Sequence, residues 1–256
     1  MTSRKGFSAG VCLLGLMAAI ALTSCKGAGN KSATNSGSTN SAAQRGEVGV
    51  EKVKPAPGTG NVQGKVLYNS KPAENIEVKL CETFSRFLNG CGGRIFTART
   101  DKAGEYVITN VEPKTYEALT AQVFDTDSYV FATSGIAGIS SAKYDVAADK
   151  TFFVRPINLF KSDLKTLNPK AAAKVSAKGL ELKWEAYPDA AYYVFSIYPN
   201  DSSNTSPYIN QRVEATSFGL EQPLEKGTYH WQVSAFNKDD KKLSESAEDI
   251  TFIVIE

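Results

Sequence analysis

The sequence predicts an all-β protein: two tandem β-sandwich domains behind a signal peptide and a flexible tether. Three observations carry this. Over 61–256, short runs of β-branched and aromatic residues alternate apolar with polar and are broken by turn residues about every 8–12 positions. No stretch there keeps the 3.6-residue period of an amphipathic helix. The first 60 residues differ from the rest, being apolar at the start and then polar and of low complexity.

Arg4 and Lys5 precede an apolar run over 11–22 that ends in Thr23, Ser24 and Cys25. A basic start, an apolar core and a small-residue end read as an export signal over 1–24. As a helix the run would reach only about 18 Å, short of the roughly 30 Å bilayer core. Leu22-Thr23-Ser24-Cys25 resembles the bacterial lipoprotein signature, a Leu, two small residues and a Cys. The resemblance implies cleavage before Cys25, lipid on its sulfur and an acyl chain on its new amino group, and hence membrane lipid as a partner. A thiol(ate) is the nucleophile such chemistry requires, and several acyl chains anchor stably where one does not. Lys26 at the next position is similar to lipoproteins sent to the outer membrane in enteric bacteria. The alternative is an ordinary secretory signal cut at another small residue.

Without 1–24 the chain carries 27 basic and 27 acidic side chains, since only Arg4 and Lys5 leave. The 26–60 segment holds five of those bases against two acids, leaving 22 bases and 25 acids over 61–256. A mildly acidic folded part has no clustered basic face for nucleic acid. The stretch "GAGNKSATNSGSTNSAAQRG" has no large apolar residue to bury, and Pro55 and Pro57 stiffen the end of the segment. Residues 25–60 are therefore expected to be a lipidated Cys and a disordered tether with a reach of roughly 30–35 Å.

The first domain is expected over 61–162. In "ENIEVKLC" Ile76, Val78 and Leu80 share one face while Glu77 and Lys79 take the other. Asp101 and Gly104 mark a turn between two strands. Gly64-x-Val66, Lys71-Pro72-x-x-Asn75-Ile76-x-Val78, Thr100-Asp101-x-x-Gly104-x-Tyr106 and Val111-x-Pro113-Lys114-x-Tyr116 resemble the carboxypeptidase-regulatory-like domain. That implies a transthyretin-like (prealbumin-like) sandwich over most of 61–157 and says little of function. Lys71, Asn75 and Lys114 replace turn glycines of the pattern; Asn tolerates a left-handed backbone and Lys does so poorly. Cys81 and Cys91 are the two thiols left once Cys12 departs and Cys25 is lipidated, so in an exported protein a disulfide is expected. The spacing is not C-x-x-C and no nearby His completes a zinc site. Phe84, Arg86 and Phe87 lie in the enclosed loop, either as a contact surface or packed on the domain's own sheet. Asp125 and Asp127 stand at i and i+2, but calcium takes six to eight oxygens, and a plain turn is the simpler reading.

The second domain is expected over 166–256. Leu180, Leu182 and Trp184 share a face, as do Tyr193, Phe195 and Ile197, and Tyr229, Trp231, Val233 and Ala235. Trp184, Pro188, Ala190, Tyr193 and Leu224-x-x-Gly227-x-Tyr229-x-Trp231-x-Val233-x-Ala235 resemble fibronectin type III domains of bacterial surface proteins. The resemblance implies a core role for the Trp and a corner hydrogen bond from Tyr229. His230, the one His of the chain, falls on the opposite face with Gln232 and, on the adjoining strand, Tyr192, Val194 and Tyr198. Either this is an outer face tyrosine occupies for its β-propensity, or Tyr192, Tyr198 and His230 form a contact surface for a sugar or peptide.

No nucleophile elbow, His pair or glycine-rich phosphate loop is present. The expectation is a non-enzymatic envelope lipoprotein with no catalytic residue, metal or cofactor, binding an envelope protein. The alternatives are a polysaccharide-binding accessory role and an architectural role in an envelope complex.

Overall fold

The computed structural model describes residues 49–85, 90–134, 140–247 and 250–255. Cys12, Cys25, the tether up to residue 48, Arg86 and Phe87 lie outside the described residues. Among the described residues every regular element is a β-strand, and the fold is all-β.

The N-terminal sandwich has Gly60–Tyr68 at the centre of one sheet. That strand runs antiparallel to Glu105–Val111 on one side and parallel to Thr151–Phe153 and Ile157–Leu159 on the other. The facing sheet is antiparallel, in the order Gly90–Arg99, Glu77–Ser85, Ala118–Gln122, Tyr129–Phe131. Period-2 alternation sends Val62, Val66 and Ile108 inward from the first sheet to meet Val78, Leu80, Leu119 and Ala121 of the second, all essentially without exposure. Each Val, Ile or Leu among them contributes about 1.5–3 kcal/mol by leaving water.

The turns follow their residues. Asp101 Oδ1 accepts from the amides of Ala103 and Glu105, both at 2.9 Å. Gly104 has φ of +71°, and a Cβ there would sit 2.5 Å from the Val66 carbonyl oxygen, so the position excludes any side chain. Asn75 is left-handed, at φ +61°, as its side chain permits, and Asn69 and Ser70 take positive φ just before Lys71. Lys71 and Lys114 have no positive φ, which removes the steric difficulty those lysines raise. Cys81 and Cys91 form a disulfide with Cα atoms 5.3 Å apart. It ties the middle of Glu77–Ser85 to the start of Gly90–Arg99, and Cys81 is fully buried.

In the C-terminal sandwich the ten-residue strand Gly227–Phe236 is the spine of a seven-stranded sheet. Tyr192–Pro199 pairs with it continuously, and Ile250–Val254 and Lys242–Ser246 share its other side. Thr166–Asn168, Glu181–Trp184 and Ser217–Gly219 form the facing sheet. The core between them holds Leu182, Trp184, Phe195, Tyr229, Trp231 and Phe252, with the two indole rings 6.3 Å apart.

Two features arise from chain paths that composition does not reveal. Residues 49–59, expected to be tether, are held on the N-terminal sandwich. Lys52 N–H donates to Gln63 Oε1 (3.0 Å), Gln63 Nε2 to the Val50 carbonyl (3.0 Å) and Asn61 Nδ2 to the Val53 carbonyl (2.8 Å). The Lys52 ammonium pairs with Asp101 at 2.9 Å and with Glu105, and Pro55 is buried. The second feature is the crossing: Ile157–Leu159 pairs with Gly60–Tyr68, while Lys161–Leu164 pairs with Lys242–Ser246. Phe160 alone separates the two strands.

Side chains then lock the crossing. Asn237 Nδ2 donates to Asn69 Oδ1 (2.9 Å), Asn69 Nδ2 to Asp189 (2.7 Å) and Ser70 Oγ to Asp239 (2.9 Å). Asn158 Nδ2 reaches the Lys242 carbonyl at 3.0 Å, and the Tyr68 and Tyr187 hydroxyls meet at 3.4 Å. Residues 69–70 form a left-handed turn seated on the 237–241 turn, so each backbone reversal supplies polar groups the other needs.

Candidate binding cleft at the junction

The cleft begins with a short turn after Ala118–Gln122. Val123 N–H donates to the Ser128 carbonyl at 2.8 Å, and Thr126 returns both its N–H (3.2 Å) and its hydroxyl (2.7 Å) to the Val123 carbonyl. Gln122 Nε2 caps the turn at the Thr126 carbonyl, 2.8 Å away. This closure forces Phe124 to φ of +52°, a region that costs a bulky residue about 1–3 kcal/mol. The ring is held there edge-on to Tyr68, with centroids 5.2 Å apart, and the Lys161 ammonium lies 5.3 Å from its centre. Asp125 and Asp127 ride exposed on this turn. Among the described residues, no three His, Cys, Asp or Glu gather into a metal-holding group.

Opposite the turn runs the crossing segment. Phe160 is half-buried under the Lys242 ammonium, 4.4 Å from the ring centre. Asp163 Oδ1 accepts hydroxyls from Tyr187 (2.8 Å) and Ser244 (2.7 Å), and Lys242 holds Glu245 at 2.9 Å. Burial, and after it the bonds to Tyr68 and Asp163, push the Tyr187 hydroxyl well up, so it stays a donor to that carboxylate. Between turn and crossing lies a cleft of about 680 Å³, inside the range of small-ligand sites. Its walls carry Phe124, Tyr129, Phe160 and Val130 beside Asp125, Asp163 and Glu245.

Tyr129, 41% exposed, is also a wall of a second hollow of about 460 Å³ on the outer face of the disulfide-bonded sheet. That basin is lined by Glu77, Lys79, Thr120, Gln122 and Cys91. The Lys79 ammonium, helped by Arg99, holds the Glu77 carboxyl below its ordinary value, so the basin floor is an ion pair. Gly90, at φ +65°, lets the hairpin approach, since a Cβ there would meet the Tyr129 hydroxyl at 2.8 Å.

The residues singled out from sequence separate into three places. Phe84 packs against Phe131 (4.8 Å) and Tyr129 (6.3 Å), on the sheet's own aromatic cluster beside the cleft. Tyr198 and His230 do face each other across paired strands, 5.2 Å apart, and His230 Nδ1 lies 2.8 Å from Asn200 Oδ1. Their rings are near parallel, so each spends one face on the other. Tyr192 does not join them as an open contact. Its ring is stacked on Phe236 at 5.1 Å, Arg212 covers it at 3.5 Å, its hydroxyl donates to Asp240, and 6% of it remains exposed. The cleft residues Phe124, Tyr129 and Phe160 bear no distinguishing mark in a β-rich sequence, where aromatics also fill cores. An aromatic beginning the "FDTDS" turn is the trace they leave.

Comparison with known proteins places the chain in no family. No protein-family model matches it, and no curated protein matches it. Solved structures with similarity include the fibronectin(III)-like modules of Clostridium thermocellum CbhA, at 13% identity over 76% of this chain and 90% of that one, with a TM-score of 0.29. The FN1–FN3 domains of chicken CNTN1 give 13% identity over 79% and 69% of the two chains, with a TM-score of 0.29. The full-length major pilin SpaD from Corynebacterium diphtheriae gives 9% identity over 75% and 65%, with a TM-score of 0.28.

Proposed function

We propose that the protein is a non-enzymatic binding lipoprotein of the bacterial envelope. Acylated Cys25 anchors it, residues 26–48 give it reach, and the two sandwiches act as one stiff arm. The observation that carries this reading is the junction. Polar bonds between residues 69–70 and residues 189, 237 and 239 fix a cleft whose walls are aromatic rings and oriented carboxylates. Such a surface is built to hold a partner in a set orientation. The groups at hand hold ligands instead of reacting with them: His230 faces Asn200 and does not line the cleft, and Asp163 is engaged by two hydroxyls. The outer membrane, with the arm in the periplasm or outside the cell, is the location that Lys26 after Cys25 favours.

Two measurements test the reading. Cys25→Ser should move the protein from membranes to the soluble fraction and abolish labelling by a palmitate analogue; unchanged fractionation removes the anchor. A photo-crosslinker at Ser162, on the cleft wall, should trap one recurring envelope component in intact cells, whereas one at exposed Lys178, in the loop before Glu181–Trp184, should not. Equal or absent trapping at both positions would remove the binding role of the junction.

A further inference from the structure

We infer that the junction cleft is a site for an uncharged linear oligosaccharide, with Phe124, Tyr129 and Phe160 receiving sugar faces and Asp125, Asp163 and Glu245 receiving hydroxyls. The inference rests on the reading of the chain as a binding protein and names the chemical class its cleft takes.

A pyranose ring has a C–H face that is apolar and an edge of hydroxyl donors. A site for it needs aromatic faces and fixed acceptors in one cleft. The cleft supplies both on opposing walls: Phe124 and Tyr129 with Asp125 on the turn, Phe160 with Asp163 and Glu245 on the crossing side. The acceptors are set before any ligand arrives. Two hydroxyls orient Asp163, and Lys242 orients Glu245, so little ordering remains to be done on binding. Phe124 is held in its left-handed backbone by a turn closed with four hydrogen bonds, which fixes the ring in the cleft wall at an energetic cost the turn must offset.

Charge narrows the class. Among the described residues, Asp125, Asp163 and Glu245 line the cleft; the Lys242 ammonium pairs with Glu245, and the one ammonium in the lining is that of Lys161. That ammonium rests between the Tyr68 and Phe124 rings, 5.6 and 5.3 Å from their centres. A uronic-acid polymer or a phosphorylated glycan would meet like charge, whereas a neutral chain would not. A peptide anchored by a buried hot spot would need a continuous apolar socket. Here Ser128 and Ser162 join the carboxylates in breaking the apolar surface into ring-sized pieces. Tyr129 shares a wall with the basin holding Thr120, Gln122 and the Glu77–Lys79 pair, so a chain longer than the cleft can pass over that ring and find further partners.

The test is calorimetry on the full-length lipidated protein in detergent. The probes are neutral β-1,4-glucan, xylan and mannan oligosaccharides and an α-1,4-glucan series, with oligogalacturonate as the acidic arm. One neutral series should bind, tighter from trisaccharide to hexasaccharide, and oligogalacturonate should not. Tyr129→Ala and Phe160→Ala should each weaken binding about tenfold, a loss of about 1.4 kcal/mol, with Tyr129→Phe near wild type. Thermal melts of each variant separate lost binding from lost folding, and Tyr198→Ala, outside the cleft, should leave affinity unchanged. Failure of every neutral series to bind, preference for the acidic probe, or affinity indifferent to folded Tyr129→Ala and Phe160→Ala overturns the proposal. If sugars fail while Ser162 still traps an envelope protein, the saccharide class falls and the binding reading stands; if both fail, both fall.

Discussion

The two sandwiches close a corner with the same device and build different bodies around it. In the N-terminal one the Tyr116 hydroxyl donates to the Glu112 carbonyl at 3.0 Å; in the C-terminal one Tyr229 donates to Glu225 at 2.9 Å. Each bond spans four residues, and each tyrosine ends the same spacing: Val111, Lys114, Tyr116 and Leu224, Gly227, Tyr229. Beyond the corner they diverge. Tyr229 stands near the start of a ten-residue strand that is paired on both sides and sends Trp231 into the core against Trp184. Tyr116 ends a strand of only two residues, and its sandwich uses shorter pieces, a disulfide and the docked 49–59 segment. A corner bond sets where the chain turns; large side chains or added ties decide how well the sheets hold afterwards.

The sharpest way to break this comparison is to remove the C-terminal core. Trp231→Ala should cost about 3–5 kcal/mol, because a buried indole leaves a cavity its neighbours cannot fill. Chemical denaturation followed by circular dichroism would read it. Loss of both sandwiches in one transition would mean the junction couples them, and a C-terminal loss alone would mean it does not. Reduction of Cys81–Cys91 is the N-terminal counterpart. A loop this short supplies about 2.7 kcal/mol in the chain-entropy account, so the N-terminal transition should move by that or less. A reduced protein with an unmoved midpoint would show the disulfide to be dispensable for folding.

Much of this contrast is legible in the residues. The alternation that places Val78 and Leu80, or Tyr229 and Trp231, on single faces follows from the period of a strand, and those faces are the cores. Tyr229 is legible through its surrounding pattern. Tyr116 bears the same spacing, but its corner role is masked because Lys114 stands where the other corner has Gly227. The junction leaves no such trace: Asn69, Ser70, Asp189 and Asn237 are ordinary turn residues, and their pairing spans 120 to 169 positions. Period-2 logic misplaces Tyr192 because it gives a side chain's face and not what lies above it; Arg212 arrives from a third strand. The tether's extent is overestimated for a related reason. Lys52 belongs to a polar stretch, and its partners Asp101 and Glu105 are fixed by a distant turn.

A finer comparison removes only the corner hydroxyls. Tyr116→Phe and Tyr229→Phe each delete one hydrogen bond while keeping the ring, and each should cost about 1 kcal/mol. Equal losses by thermal melting would make the corner an independent device. A much larger loss at Tyr229 would show that the long strand depends on it, and no loss at either would deny the corner an energetic role.

The smallest effect concerns the tie that the C-terminal sandwich lacks, the docked 49–59 segment. The Glu105 amide, then the Lys52 ammonium, hold Asp101 below its ordinary value of 3.8, and Glu105 and Asp101 raise Lys52 above its ordinary 10.5. The depressed carboxyl binds fewer protons folded than unfolded, so its contribution is full above 3.8 and fades as pH falls through the folded value. The raised ammonium contributes fully below 10.5 and fades as pH climbs past it. The segment should therefore be held tightest between these limits and loosen at both ends, with salt weakening it throughout because these groups are largely exposed. Hydrogen exchange of a 49–59 peptide, corrected for intrinsic pH dependence, would show this as lost protection at acid pH in the wild type. Lys52→Gln should flatten the profile, and a wild-type profile already flat would mean that Asn61 and Gln63 hold the segment without the ion pairs.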